Sequence, residues 1–252
     1  MNLCRWTKTQ GLTLLTLMVM GCGSPSAEQA VDVEKIIANI TRKEIELDDS
    51  DPNARVALTR NFYFVFDGSG SMADAPDADC HGDQSFSSKL QGAQWAVKEF
   101  VKKIPEDINL GLYVFDNNGQ GERVPLGQNN RAQFNRALDE VYAGSDTPLA
   151  NAIVFAANQL AAQYKQQLGY GEYRIVVVTD GIAERIPQAS IYAMELGFPI
   201  YAIGLCVEAN HPLRSYATSY RAADSFEDLA RGLEETLAEL PDYDESAFEG
   251  TP

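Results

Sequence analysis

The sequence predicts an α/β fold, in which a doubly wound, mostly parallel central sheet with one antiparallel edge strand is flanked by helices. Three observations predict it. Strand-like and helix-like stretches alternate along the chain, the pattern of a parallel sheet with helical crossovers on both faces. Two strands, in NFYFVFDGSGSM and RIVVVTDG, are almost continuous apolar runs that end at an aspartate and a glycine, as buried strands opening into tight polar loops do. A DNNG turn at 116–119 then reverses the chain, so the piece that follows returns antiparallel.

Composition bounds this Rossmann-like reading. With 252 residues, 45% hydrophobic and 22% charged, the chain fills one sizeable core, assigned to residues 61–240. The formal net charge of -16 argues against nucleic acid or an anionic membrane surface as partner and favours cations or basic protein patches.

Residues 1–21 read as an export signal. Arg5 and Lys8 precede a Leu-rich uncharged run at 11–20, too short for a permanent bilayer span but suited to a secretory signal. Val19-Met20-Gly21-Cys22 resembles the lipobox of bacterial lipoproteins, with cleavage before Cys22 and diacylglycerol on its thiol. That resemblance implies a lipid-anchored protein of the bacterial cell envelope, touching the membrane through its N-terminal lipid only. If the resemblance to enterobacterial lipoproteins extends to sorting, Gly23 after the cysteine, rather than aspartate, implies the outer membrane. Loss of Arg5 and Lys8 takes the charge from -16 to -18.

Residues 22–60 are expected to form a small, polar tether and then a segment packed on the domain's flank. Val33, Ile36, Ile37 and Ile40 fall at helical spacing, and Ile45 and Leu47 alternate like an edge strand before an acidic turn at 48–52. Asn39-Ile40-Thr41 matches a glycosylation sequon by chance.

The first buried strand is 61–67. Phe86, Leu90, Ala93, Val97, Phe100, Val101 and Ile104 then form one apolar stripe on a helix that stops at Pro105. A buried strand at 110–115 follows, with the antiparallel edge at 122–126 and a short helix at 131–142. The spacing predicts a longer helix over 148–165, strands at 174–179, 200–205 and 220–223, a helix at 187–196, and a closing helix on Phe226, Leu229, Leu233 and Leu237. Residues 241–252 read as an acidic, disordered tail.

Asp67, Ser69 and Ser71 alternate with Gly68 and Gly70, so three hard oxygen donors converge on one tight backbone. Such a set suits Mg2+, Ca2+ or Mn2+ rather than zinc or copper. Two later stretches open at the same sheet edge. Thr147 precedes Pro148 at a helix start, where capping alone would account for it. Asp180 follows the buried strand 174–179 in a T-D-G turn.

Together these loops resemble the von Willebrand factor A (integrin I) domain family. Asp67-x-Ser69-x-Ser71, Thr147 in a T-P-L context and Asp180 in a T-D-G context match its metal-ion-dependent adhesion site at all five positions. The resemblance implies that Ser69 and Ser71 are primary ligands, Thr147 a switchable one, and Asp67 and Asp180 the charge balance acting through water or hydrogen bonds. Mg2+ is the implied ion, with Ca2+ or Mn2+ as alternatives. The implied partner is a protein presenting an acidic residue that completes the metal shell, so the domain binds and is not an enzyme. A second reading makes the ion structural and the protein a non-catalytic envelope scaffold.

Other readings of the same residues are weaker. Gly68-x-Gly70-x-x-Ala73 fits a dinucleotide fingerprint only formally, because Asp67 would face the pyrophosphate. An aspartyl phosphatase wants a second aspartate where Ser69 stands, and G-x-S-x-G is absent. Cys80 and Cys206 are the cysteines left once Cys4 and Cys22 are assigned, and in an oxidising compartment they are expected to form a disulfide, which would close about 127 residues and be worth ~4 kcal/mol on the chain-entropy account. The alternative is zinc, with His81 and His211. The loop after Met72 carries Asp74, Asp77, Asp79 and Asp83, either a solvated insert or a second Ca2+ site.

Overall fold

In a computed structural model, residues 41–48, 50–76, 85–181, 183–205 and 211–238 are described. The expected helix at 33–40, Cys22, Cys80, Cys206 and the tail lie outside them. Strand β1 (Arg60–Asp67) is the centre of a six-stranded sheet, buried from Asn61 onward. After it come β2 (Asn109–Asp116), β3 (Gly119–Gly127), β4 (Glu172–Thr179), β5 (Ile200–Leu205) and β6 (Ser219–Ala223). The spatial order is β3-β2-β1-β4-β5-β6, parallel except for β3, which runs antiparallel to β2. The doubly wound α/β reading therefore holds, including its antiparallel edge.

Alternation along β1 divides the core into two layers. Phe62, Phe64 and Phe66 point to one face, where α1 (Lys89–Lys103), α2 (Arg131–Asp139) and α5 (Phe226–Ala238) pack. Phe64 meets Phe100 and Phe134 there, at centroid separations of 5.9 and 5.2 Å. Tyr63 and Val65 point to the other face, against α3 (Leu149–Gln166) and α4 (Ile186–Glu195). Both faces being apolar explains why β1 reads as an unbroken hydrophobic run. Edge strand β3 is mostly half-buried or exposed and carries Pro125, a residue that sheet interiors exclude.

Helix α1 starts at Lys89 rather than near Phe86. Ser88 is the reason: its extended backbone and its hydroxyl, which accepts from Gln91 N at 3.3 Å, make it the N-cap. Phe86 precedes the helix and packs its ring on Trp95 and Phe226. Behind it, Gly92 lets α1 lie against α5, because a Cβ there would come within 2.0 Å of the Phe226 ring. Helix α2 ends at Asp139, three residues short of its expected limit.

The flanking segment is not a strand. Residues 41–48 carry no regular structure, and the Lys43 amide donates to Glu195 O at the end of α4, 2.7 Å away, instead of to a sheet edge. Ile45 packs on the second layer as expected, whereas Leu47 stays 42% exposed. The acidic turn forms through Asp48 Oδ1, which accepts from Ser50 N at 2.9 Å. Among the described residues no helix is long and apolar enough to cross a membrane.

Candidate metal centre

β1 and β4 are parallel neighbours, so their carboxyl ends open side by side, where open α/β sheets bind ligands. Backbone bonds draw a third loop in. Gly144 N donates to Gly68 O at 2.9 Å, and Gly70 N donates to Ser145 O at 3.2 Å. A Cβ on Gly68 would lie 2.6 Å from the Val141 side chain, so the loops close this tightly only around glycine. Buried Asp116 braces the third loop from below: Oδ2 accepts from Tyr142 N at 3.2 Å, while Oδ1 accepts from Asn118 N and pairs with Arg123 at 3.0 Å.

The five side chains come to this edge. Ser71 Oγ donates to Asp180 Oδ1 at 2.8 Å, and Ser69 Oγ lies 3.2 Å from Ser71 Oγ. Asp67 Oδ1 accepts from Ser69 N at 2.8 Å, and its Oδ2 accepts from the Thr179 hydroxyl. Thr147 joins them across Gly181: a Cβ on that glycine would stand 3.3 Å from Thr147 Oγ1 and 3.5 Å from Asp67 Oδ2. Capping does not explain Thr147, since Pro148 is the N-cap of α3 and no side chain caps that helix.

Burial sets the electrostatics. Asp67 is fully buried and Asp180 8% exposed, two carboxylates in one dry corner. Desolvation pushes the Asp67 carboxyl up to about 6, against the hydrogen bonds from Ser69 and Thr179 that lower it, with the charge of Asp180 adding a further rise. Lys89 Nζ donates to Asp180 Oδ2 at 3.0 Å, with the two side chains 11% and 0% exposed. One ammonium faces two carboxylates, so the set is short of positive charge.

The residues fit a hard divalent cation. The two serine oxygens stand 3.2 Å apart, close to the separation of adjacent corners of an Mg2+ octahedron, about 3.0 Å for bonds of about 2.1 Å. Among the described residues no three His, Cys, Asp and Glu side chains cluster as metal ligands; here two carboxylates and three hydroxyls would have to supply the oxygen. A cleft of about 740 Å3 opens over Ser69, Ser71 and Thr147, with Asp146, Glu184 and Arg185 on its rim. A larger cavity, about 840 Å3, lies at the opposite, amino-terminal edge beneath residues 42–47. It is lined by Glu44, Glu46 and Glu172 but by none of the five motif residues, so the carboxyl edge is the candidate site.

The rival readings gain no support among the described residues. His211 has both ring nitrogens engaged: Nε2 donates to Gly181 O at 2.7 Å, and Nδ1 accepts from Leu213 N at 3.1 Å. It therefore offers no nitrogen to zinc. Among the described residues, what directly follows Gly68 is a 3-10 turn, Gly70–Ala73, rather than the helix terminus a pyrophosphate would need. Asp74 is exposed, and Asp77, Asp79 and Asp83 lie outside the described residues. Four supporting roles escaped the sequence reading, which passed over Lys89 and read Asp116 as a turn residue, Thr179 as a strand end and His211 as a zinc candidate. Only Lys89 carried a signal, as a cation on the first turn of a helix, the positive end of its dipole.

Residues 61–236 match the von Willebrand factor type A domain family, and the chain belongs to it. No curated protein matches the chain. Among solved structures it is similar to an aerotolerance-related membrane protein from Bacteroides fragilis, with 16% identity, TM-score 0.53, and coverage of 74% of this chain and 100% of that one. It is also similar to the vWF domain of the type V pili tip protein Mfa5 from Porphyromonas gingivalis, at 14% identity, TM-score 0.54, and coverage of 73% and 95%. A third is the manganese-loaded TRAP protein of Plasmodium vivax, at 14% identity, TM-score 0.50, and coverage of 70% and 72%. At such identities the likeness carries the fold.

Proposed function

We propose that this chain is an exported bacterial lipoprotein whose von Willebrand factor type A domain grips a protein partner through a divalent ion at the carboxyl edge of the sheet. The observation that carries this reading is the convergence of Ser69, Ser71, Thr147, Asp67 and Asp180 from three separate loops. Ser69, Ser71 and Thr147 offer hydroxyl oxygens to Mg2+, with Ca2+ or Mn2+ as alternatives, while Asp67 and Asp180 balance the charge. When bound, the ion supplies an electrophilic position that a partner's carboxylate oxygen can fill. The hydroxyls leave that electrophilicity largely intact, because they are neutral donors. The cleft above them gives an acidic side chain room to enter. Pilus-tip and manganese-loaded proteins among the similar structures support a surface-binding role. Cys22 would carry the lipid anchor, and Cys80 and Cys206 would join as a disulfide.

A second reading rests on the hydrogen bonds that already engage Asp67 and Asp180 within the chain: the ion stabilises the rim, and partners dock elsewhere on an envelope scaffold. Affinity capture from envelope extracts separates the two. If EDTA and Asp180→Ala abolish capture while the fold persists, the adhesive reading stands. If capture survives and only thermal stability falls, the scaffold reading replaces it.

A further inference from the structure

Lys89 belongs to the site although no part of the adhesion motif contains it. It is the first residue of α1, where the aligned peptide dipoles disfavour a cation, and its side chain is only 11% exposed. A buried ammonium in that position needs a strong reason. Asp180 supplies it, through the 3.0 Å contact of Nζ with Oδ2, while Ser71 holds Oδ1.

The charge count gives the consequence. Asp67, Asp180 and Lys89 together carry one net negative charge when all are ionised; a divalent ion turns that into one net positive charge. Without the lysine, the loaded centre would be neutral. An ammonium in this dry pocket repels the entering metal ion, and it also leaves the loaded centre cationic toward an arriving anion.

We propose that Lys89 is a fixed counter-cation that sets the affinities of the centre in opposite directions, weakening its hold on the metal ion and strengthening its hold on the partner's carboxylate. This rests on the metal-binding reading above. In the metal-free protein Lys89 keeps Asp180 paired, and in the loaded protein it makes the open position a better anion receptor. The site is thereby tuned to be filled when ion and acidic ligand are present together.

The test uses the full chain, with Mn2+ alone and then acetate as probes. Calorimetry on wild type, Lys89→Met, Lys89→Gln and Lys89→Arg gives the Mn2+ affinity, and acetate titration of the Mn2+-loaded proteins gives the anion affinity. Both neutral variants are expected to bind Mn2+ roughly tenfold more tightly and acetate severalfold more weakly, with Lys89→Arg close to wild type. A lysine that merely packed the helix start would lower both affinities together. If wild type binds Mn2+ and the variant that remains folded by circular dichroism shows no tightening, or loses both ligands, the inference is overturned. If wild type binds no Mn2+, the metal-binding reading itself fails.

Discussion

Ser71 Oγ donates to Asp180 Oδ1 at 2.8 Å, joining two loops separated by 109 positions in the sequence. That bond aligns the first and last pieces of the motif on one rim, and Lys89 completes the pairing on the other oxygen.

Asp180→Ala therefore has two expected effects. Removing a carboxylate that orients a metal ligand lowers divalent-ion affinity by about 10–100-fold, read by calorimetry. It also strands the Lys89 ammonium, destabilising the metal-free protein by up to about 3–5 kcal/mol in urea unfolding. Adding Lys89→Met to Asp180→Ala is expected to recover part of that stability and, by removing an unpaired ammonium that repels the ion, part of the ion affinity, as a double-mutant cycle would show.

Asp67 makes stability and ion binding depend on pH. Its carboxyl rises from 3.8 to about 6 on folding, chiefly through burial. A raised carboxyl stabilises the fold while protonated, so in EDTA this contribution is full below pH 3.8 and lost as pH rises through about 6. Asp67→Asn is expected to remove about 2–3 kcal/mol of that dependence between about pH 4 and 7. Divalent-ion affinity in the wild type runs the other way, rising through the same interval as the competing proton leaves.

His211 contributes with the opposite sign. Burial lowers its value below the ordinary 6.5, partly offset by its bond to Gly181 O. Its contribution is thus present above pH 6.5 and lost as pH falls through 6.5 toward the folded value. His211→Phe preserves a ring against Tyr220, stacked at 5.7 Å in the wild type, but loses the tie to the Asp180-Gly181 turn. The expected cost is about 1–2 kcal/mol at neutral pH, together with loss of the acid-dependent decline, both measured by denaturant unfolding.

Gly92→Ala tests the packing that holds α1, and with it Lys89, in place. The added methyl meets the Phe226 ring, so α1 and α5 must separate, with an expected loss of about 1–3 kcal/mol. Phe226→Leu in the same chain is expected to restore part of it.

Most of this fold is legible in sequence because its strands are buried on both faces. Phe62 to Phe66 and Ile175 to Val178 are apolar at every position, and tertiary context has nothing to override there. The motif residues were legible too: Asp67, Ser69, Ser71 and Asp180 follow strands whose ends can be placed, and Thr147 stands before a proline at a helix start. What sequence hid is pairwise. Lys89 and Asp180 stand 91 positions apart, and nothing at either position names the other. Ile45 and Leu47 alternate as strand residues do, yet Lys43 bonds to the end of α4 and the segment never reaches a sheet edge. Thr147 before Pro148 looks like a cap, but the backbone places the cap one residue later and leaves the hydroxyl beside Gly181.

Anomalous diffraction from crystals grown with Mn2+ tests the central claim most directly. The account predicts a single strong peak at the carboxyl edge of the sheet, within about 2.0–2.3 Å of Ser69 Oγ and Ser71 Oγ, with Asp67, Thr147 and Asp180 bonded to the ion or to its waters. A folded protein in saturating Mn2+ that shows no ion between the two serines, or holds it elsewhere, would contradict it.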